Sequence, residues 1–327
     1  MKKQKKSKGV LSACILLILV LVILYSGLRI LEPTVLLPGK EASETAARKT
    51  ITRDGKDYFP RQDVTVVMVL GIDLYGPAES SNYYRNHGSA DSIMLLIFDK
   101  TNKESTVLCL NRDTMLEMDV LGVKGEYAGT TYGQLALAHT YGTGLKDSCV
   151  NVKNTLENFL HGLTVDYYVS MRMDAISVLN DAVGGVTVNV VDDFSLVNPS
   201  ITMGELTLMG EQAIDFVRTR KEVSDQTNLT RMERQKEYMD NFLKSFHQRE
   251  LEDANFSVKM YEEVSPYIVT DCSVETLSGM LSSYSDYTIR DVVIPEGENI
   301  LADGHYEFHV DEEKLDHLIV ELFYAPK

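Results

Sequence analysis

The chain has no P-loop, no G-x-S-x-G elbow and no H-E-x-x-H helix, so the nucleotide hydrolases, serine hydrolases and zinc peptidases marked by those motifs find no support in it. Cysteine is sparse. Of four, Cys14 falls in an apolar amino-terminal run, while Cys109, Cys149 and Cys272 allow one disulfide at most and match no metal-site spacing. The seven histidines, among them His87, His139, His161 and His247, show no ligand spacing either. Positive charge is also scarce: 32 Lys and Arg against 48 Asp and Glu give a net charge of -16 over 327 residues, and five of the cations are Lys2, Lys3, Lys5, Lys6 and Lys8. So acidic a surface repels nucleic acid and other polyanions except where basic groups are collected. With no DNA-reading motif present, no nucleic-acid partner is expected.

Charge is missing altogether from residues 10–28, VLSACILLILVLVILYSGL. At 1.5 Å per residue such a helix nearly covers a hydrocarbon core of roughly 30 Å. The lysines before it, with only Arg29 close behind, predict a cell-membrane protein with a cytoplasmic amino terminus and an exported carboxy-terminal body. A cleaved signal peptide is the competing reading, with Ser26-Gly27 as cleavage context, although the run is long and lacks an A-x-A ending. The expected organisation is a basic cytoplasmic segment 1–9, a transmembrane helix 10–28, a linker 29–62 and an extracytoplasmic domain 63–327. The linker holds Pro33, Pro38, Gly39, Gly55 and Pro60, with a short strand or hairpin near Lys49–Phe59.

Within the body, VTVVMVLGID (64–73), SIMLLIFDK (92–100) and STVLCLNRD (105–113) read as buried strands. The last two are joined by the short turn Lys100–Glu104, so Asp91 at the start of one and Arg112 at the end of the other should be neighbours. Helices are expected at Gly133–Tyr141, Lys146–Leu160, Asp174–Val183, 258–268, 273–284 and 311–324, and strands at 165–171, 186–191 and 288–294. Strand 165–171, helix and strand 186–191 read as one unit of a parallel or mixed sheet. No composition shift divides the body, so the expected fold is α/β, a single mixed central β-sheet flanked by helices.

Against the acidic background stands GEQAIDFVRTRKEVSDQTNLTRMERQKEYMDNFL (210–243), with Arg218, Arg220, Arg231 and Arg234 close together. Gly210–Phe216 reads as a helix opening into an extended stretch that would put Arg218 and Arg220 on one side. Arg231, Arg234 and Gln235 fall on one face of a second helix, with Asn228 as its N-cap. The plain alternative is a solvated face paired with Glu222, Asp225, Glu233 and Glu237. The sharper reading is a cradle for a phosphate or diphosphate, because a planar guanidinium pairs two oxygens at once and keeps its charge. Asp73, Asp91 and Asp113 stand at strand ends, each a turn or capping residue when taken alone. Together, beside arginines, they suit a divalent cation bridging to phosphate, or a base toward an attacking hydroxyl.

The succession LGID (70–73), SADS (89–92), NRDT (111–114), DAVGGVTVNV (181–190), GEQAIDFVRTR (210–220) and RMERQ (231–235) resembles the LytR-CpsA-Psr family, over about Val64 to Phe323. The resemblance implies an α-β-α fold and an extracytoplasmic phosphotransferase. Such an enzyme moves a glycopolymer from an undecaprenyl diphosphate carrier to a peptidoglycan hydroxyl. It further implies magnesium or base roles for Asp73 and Asp91, and diphosphate contacts from Arg112, Arg218, Arg220, Arg231 and Gln235. Two other readings stay open: a lipid-diphosphate receptor without turnover, and a lipid-diphosphate hydrolase. The chain departs from the family pattern at Ser89, where Arg is common, at Leu74 and Tyr75, where a basic residue is usual, at Gln134, near which Lys stands, and at Asn228, usually Asp. Arg85, in an enlarged loop 75–89, is the candidate to compensate for the lost charge.

Overall fold

Val64–Ile72 contains no charged residue, and it forms a strand buried along its whole length. A strand of that kind needs neighbours on both sides and cover on both faces. In the computed structural model, which describes residues 50–326 apart from 54, 220–222, 224–227, 254, 274–275, 277–279, 281–282, 285–286 and 303, it lies at the centre of a mixed sheet. Segment 1–9, the apolar run 10–28 and the linker as far as residue 49 lie outside the described residues. No described helix is long and apolar enough to cross a membrane.

The chain opens with β1 (Ile51–Arg53), β2 (Lys56–Pro60), β3 (Val64–Ile72), β4 (Ala90–Asp99), β5 (Glu104–Leu110), β6 (Met115–Leu121) and β7 (Tyr127–Gln134). A 3-10 turn (Leu135–Thr140), α1 (Lys146–Phe159), β8 (Tyr167–Arg172), α2 (Asp174–Ala182), β9 (Val186–Val190), β10 (Gly204–Leu208) and α3 (Glu211–Arg218) follow. Then come α4 (Asn228–Glu252), α5 (Phe256–Val264), β11 (Ile268–Thr270), β12 (Thr288–Val293), β13 (Gly297–Ala302), β14 (His305–Val310), α6 (Glu312–Phe323) and β15 (Tyr324–Pro326). Contacts divide the body into two compact units.

The larger unit comprises the described residues up to Leu74, Ala78–Met171 and the chain from Val269 on. Its sheet has the order β11-β8-β3-β4-β5-β12; β3–β4 and β4–β5 are antiparallel and β5–β12 is parallel. Opposed residues share a face, so Val66 with Ile97, Met68 with Leu95 and Leu70 with Ile93 make one apolar surface. That surface forms a common core with Cys149, Val152 and Leu156 of α1 and Leu315, Ile319 and Leu322 of α6. On the opposite face Phe98 stacks on Tyr284, ring centres 4.3 Å apart. Cys109, Cys149 and Cys272 are buried, and no disulfide joins them.

The smaller unit comprises Tyr75–Pro77 and Arg172–Ile268. Tyr238, Phe242 and Phe246 recur every four residues along α4 and bury a ladder of rings 6.5 and 6.2 Å apart. Phe246 continues it to Phe256 of α5 at 5.5 Å.

Several expectations change. The hairpin expected near Lys49–Phe59 is formed by β1 and β2; what the sequence does not indicate is that β2 also pairs with β15 at the other end of the body. Gly133–Tyr141 is not a helix, because Gly133 and Gln134 are paired with Leu116 and Met115 before the 3-10 turn begins. β9 does not join β8 in the central sheet; it pairs with β10 in a separate ribbon. Its alternating burial explains this, since a strand with one wet face does not fit a sheet covered on both. Gly185 makes the turn between α2 and β9 at φ 89°, where a Cβ would lie 2.9 Å from the Leu208 carbonyl oxygen. Part of the expected helix 273–284 lies outside the described residues.

One ion cluster ties the larger unit together at the far end of the sheet. Arg61 Nη2 lies 2.7 Å from both Asp63 and Asp99, and Asp99 accepts the backbone N–H groups of Thr101 and Asn102 that close the β4–β5 turn. The hydrogen bond from Arg61 holds the Asp63 carboxyl well below the usual carboxylate range. A carboxyl so depressed contributes stability that is complete above about pH 4 and is lost as the pH falls toward its folded value. Arg61→Ala is expected to lower unfolding stability at pH 7 by about 2 kcal/mol and to lessen the acid-side loss, as read from urea titrations at neutral pH and about pH 3.

Candidate active site

Asp73 and Asp91 owe their places to a flaw in the β3–β4 ladder. Gly71 faces Ser92 and Ile72 faces Ala90, so Asp91 is the extra residue of a β-bulge. A bulge re-aims the side chain it carries. The Asp73 N–H then donates to the Ser89 carbonyl at 3.0 Å, which continues the pairing and sets the two carboxylate-bearing residues on adjacent strand ends.

The expected neighbourhood of acid and arginine is present. Arg112 Nη1 lies 2.7 Å from Asp91 Oδ1, and Arg112 Nε lies 3.7 Å from Asp113 Oδ1. The first is an ion contact without hydrogen-bond alignment; the second is beyond hydrogen-bond range. The Nε–H is buried and finds no acceptor among the described residues. The turn that bears Arg112 is tightly held. Asn111 accepts from the Asp113 N–H and the Thr114 hydroxyl, and the Arg112 carbonyl accepts from the Ala136 N–H. β14 supports the same turn through the Phe308 N–H on the Asp113 carbonyl at 2.8 Å.

Gln134 braces the same turn. Its side-chain amide donates to Asp113 at 3.0 Å and to the Tyr306 carbonyl at 2.7 Å. Arg85, the candidate to supply further positive charge, is on Tyr141. Its guanidinium lies over the Tyr141 ring at 4.9 Å and donates to the Tyr141 hydroxyl.

In the smaller unit, α3 runs two residues past the expected end at Phe216, so Arg218 is its last helical residue and the chain becomes extended only at Thr219. Arg218 is exposed, and its Nη1 donates to the Tyr75 hydroxyl at 3.3 Å. Tyr75 is fixed by its carbonyl on Arg172, and the next residue by the Gly76 N–H on Asp174. Arg220 lies outside the described residues. Arg231 and Gln235 are on α4, which begins at Asn228, and their side chains lie outside the described residues. Arg234 departs from expectation: it is buried and paired with Asp192 at 2.6 Å, so its charge is spent inside the protein.

Two neighbours escaped the sequence reading as contributors, Tyr75 and Gln134. Neither belongs to a pattern that carries chemistry; only the pairing of β6 with β7 and the short 75–77 segment bring them to Asp113 and Arg218. Among the described residues no group of three or more His, Cys, Asp or Glu is placed to hold a metal. Two carboxylates on neighbouring strand ends still fit a magnesium ion that takes its remaining ligands from phosphate and water.

The family model described as the LytR_cpsA_psr family matches residues 37–323. The chain belongs to the LytR-CpsA-Psr family. Among relatives, the polyisoprenyl-teichoic acid–peptidoglycan teichoic acid transferase TagU of Bacillus licheniformis is 26% identical, over 98% of this chain and 97% of its own length. The solved structure of TagT bound to LI-WTA is similar in fold, at 22% identity and TM-score 0.55, covering 84% of this chain and 95% of that one. TagT of Bacillus subtilis is similar at 23% identity and TM-score 0.53, with coverage of 84% and 95%. In this LytR-CpsA-Psr chain the mixed sheet with its helices is therefore the family's fold.

The Asp91–Arg112 pair is more than a quarter exposed on each side, and such pairs contribute about 0–1 kcal/mol. Asp91→Asn and Arg112→Ala are therefore expected to melt within a few degrees of the parent protein, as followed by circular dichroism. A large drop in either would make the pair structural.

Proposed function

We propose that the chain transfers a glycopolymer from an undecaprenyl diphosphate carrier to a hydroxyl of peptidoglycan in cell-wall assembly. The single observation that carries this reading is Arg112. It is anchored by Asp91, its backbone is fixed by the 3-10 turn, and it keeps a buried Nε–H with no acceptor among the described residues. A fixed guanidinium with unspent donors is what an anionic oxygen needs, and in an acidic protein it is placed against the general charge. The names of the relatives, teichoic acid transferases, support the same substrate class.

In this reading the acceptor oxygen attacks the phosphorus that bears the glycopolymer. A new P–O bond forms, the bridging P–O bond of the diphosphate breaks, and undecaprenyl phosphate leaves. The hydroxyl proton passes to a carboxylate, Asp73 or Asp91. Phosphoryl transfer asks mainly for positioning and for neutralisation of the transferring group, and arginines supply both. Diphosphate oxygens are assigned to Arg112, Arg218, Arg220, Arg231 and Gln235, following the family resemblance. Magnesium, held by Asp73 and Asp91 together with phosphate oxygens, would add electrostatic stabilisation. Residues 10–28 anchor the body in the cell membrane, with residues 1–9 inside and 63–327 outside, close to the lipid-borne donor and the wall.

One observation favours the receptor reading instead. Where the family pattern has Lys, Gln134 spends its amide on Asp113 and Tyr306. Tight binding of a prenyl diphosphate by calorimetry, with no labelled polymer reaching peptidoglycan, would decide for a receptor, and release of polymer phosphate to water for a hydrolase.

Arg218→Ala is expected to cut transfer of labelled polymer from lipid diphosphate to peptidoglycan by roughly 10²- to 10³-fold while the fold is kept. Unchanged turnover removes Arg218 from the site. Chelation with EDTA is expected to suppress transfer and magnesium to restore it, and Asp73→Asn to shift the restoring magnesium concentration upward; full activity in EDTA would refute the metal.

A further inference from the structure

The buried guanidinium of Arg234 makes three polar contacts, and they are unevenly distributed. Nη1 meets Asp192 Oδ2 at 2.6 Å, Nε donates to the Phe216 carbonyl at 3.2 Å, and Nη2 donates to the Thr219 carbonyl. Its plane lies near two rings, with Cζ 5.1 Å from the centre of Phe194 and 5.9 Å from that of Phe216. Those rings stack on each other at 5.8 Å. The residue is 4% exposed.

Both accepting carbonyls belong to the end of α3, where carbonyls have no partner within the helix. They bracket Arg218: Phe216 precedes it by two residues and Thr219 follows it. One rigid fork therefore fixes the backbone on each side of Arg218, at the point where the chain leaves the helix and becomes extended. Asp192 neutralises the charge and burial closes the guanidinium off from solvent, so Arg234 itself is not placed to meet an external anion. A lysine could not do the same, because a single ammonium cannot span two carbonyls and a carboxylate in one plane.

We propose that Arg234 is a positioning residue for Arg218: it clamps the end of α3 so that the Arg218 side chain is presented in one orientation to the donor's diphosphate. The inference rests on the reading of Arg218 as a diphosphate ligand. It separates two arginines that look alike in sequence, one that meets substrate and one that never does.

The test is a double-mutant cycle on the full-length protein in detergent, titrated calorimetrically with geranylgeranyl diphosphate well below each variant's melting temperature. Arg218→Ala is expected to weaken binding about tenfold or more. Arg234→Lys is expected to weaken it by a similar factor, and the combined variant to bind no more weakly than Arg218→Ala alone. Should Arg234→Lys fold poorly, Asp192→Leu with Arg234→Met replaces both buried charges, an exchange that proteins often tolerate. That pair is expected to restore the melting temperature and to leave binding weak, a result that a merely stabilising role would not give. Parent-like binding in the refolded pair, or full additivity in the cycle, overturns the proposal. If Arg218→Ala alone binds like the parent, the assignment of Arg218 fails first, and the clamp loses its purpose with it.

Discussion

The antiparallel pairing of β4 between β3 and β5 is the constraint on which the larger unit depends. It buries the long apolar runs of the described residues against each other and, through its directions, brings the end of β3, the start of β4 and the end of β5 to one rim. Asp73, Asp91 and Arg112 meet there for that reason and no other. The bulge at Asp91 is the one irregularity in the β3–β4 ladder, and it falls at the residue that holds Arg112. The grouping of charged residues at the rim is thus a by-product of a core made by hydrophobic burial, adjusted by one inserted residue.

The arginines divide by environment, not by sequence. Arg61 is enclosed by Asp63 and Asp99 and holds a turn. Arg234 is enclosed by Asp192, two carbonyls and two rings. Arg85 lies on Tyr141. Arg112 meets a carboxylate that is about a quarter exposed, and Arg218 is itself exposed, with a tyrosine hydroxyl among its partners. In a chain with so few cations, the burial of each one separates scaffold from candidate ligand better than its position in a motif.

Much of this was legible beforehand where burial is strong. The three central strands, α1, α2, α3 and α6 fall close to the expected residues because their apolar spacing is unambiguous. The approach of Asp91 to Arg112 followed from the length of the β4–β5 turn alone. What could not be read were the hairpins β6–β7 and β13–β14: in each, one strand, β7 or β13, is largely exposed and follows no apolar alternation, although β6 does alternate, with Leu116 and Met118 buried. Gln134 was noticed only as a departure, since its partners Asp113 and Tyr306 come from distant segments. Arg234 was placed with Arg231 and Gln235 because a helix puts them on one side. Spacing does not say whether that side faces water or a neighbouring helix end.

The pairing of β2 with β15 has a practical corollary. Pro326 lies opposite Tyr58, and Tyr58 in turn opposite Ile51, so the two ends of the described body are two strand spacings apart, roughly 10 Å. A short linker from 326 to 51 would close the chain into a ring, and reopening it at the turn between β13 and β14 would yield a circular permutant without the hydrophobic leader. Such a molecule would keep every strand of the central sheet while dispensing with detergent.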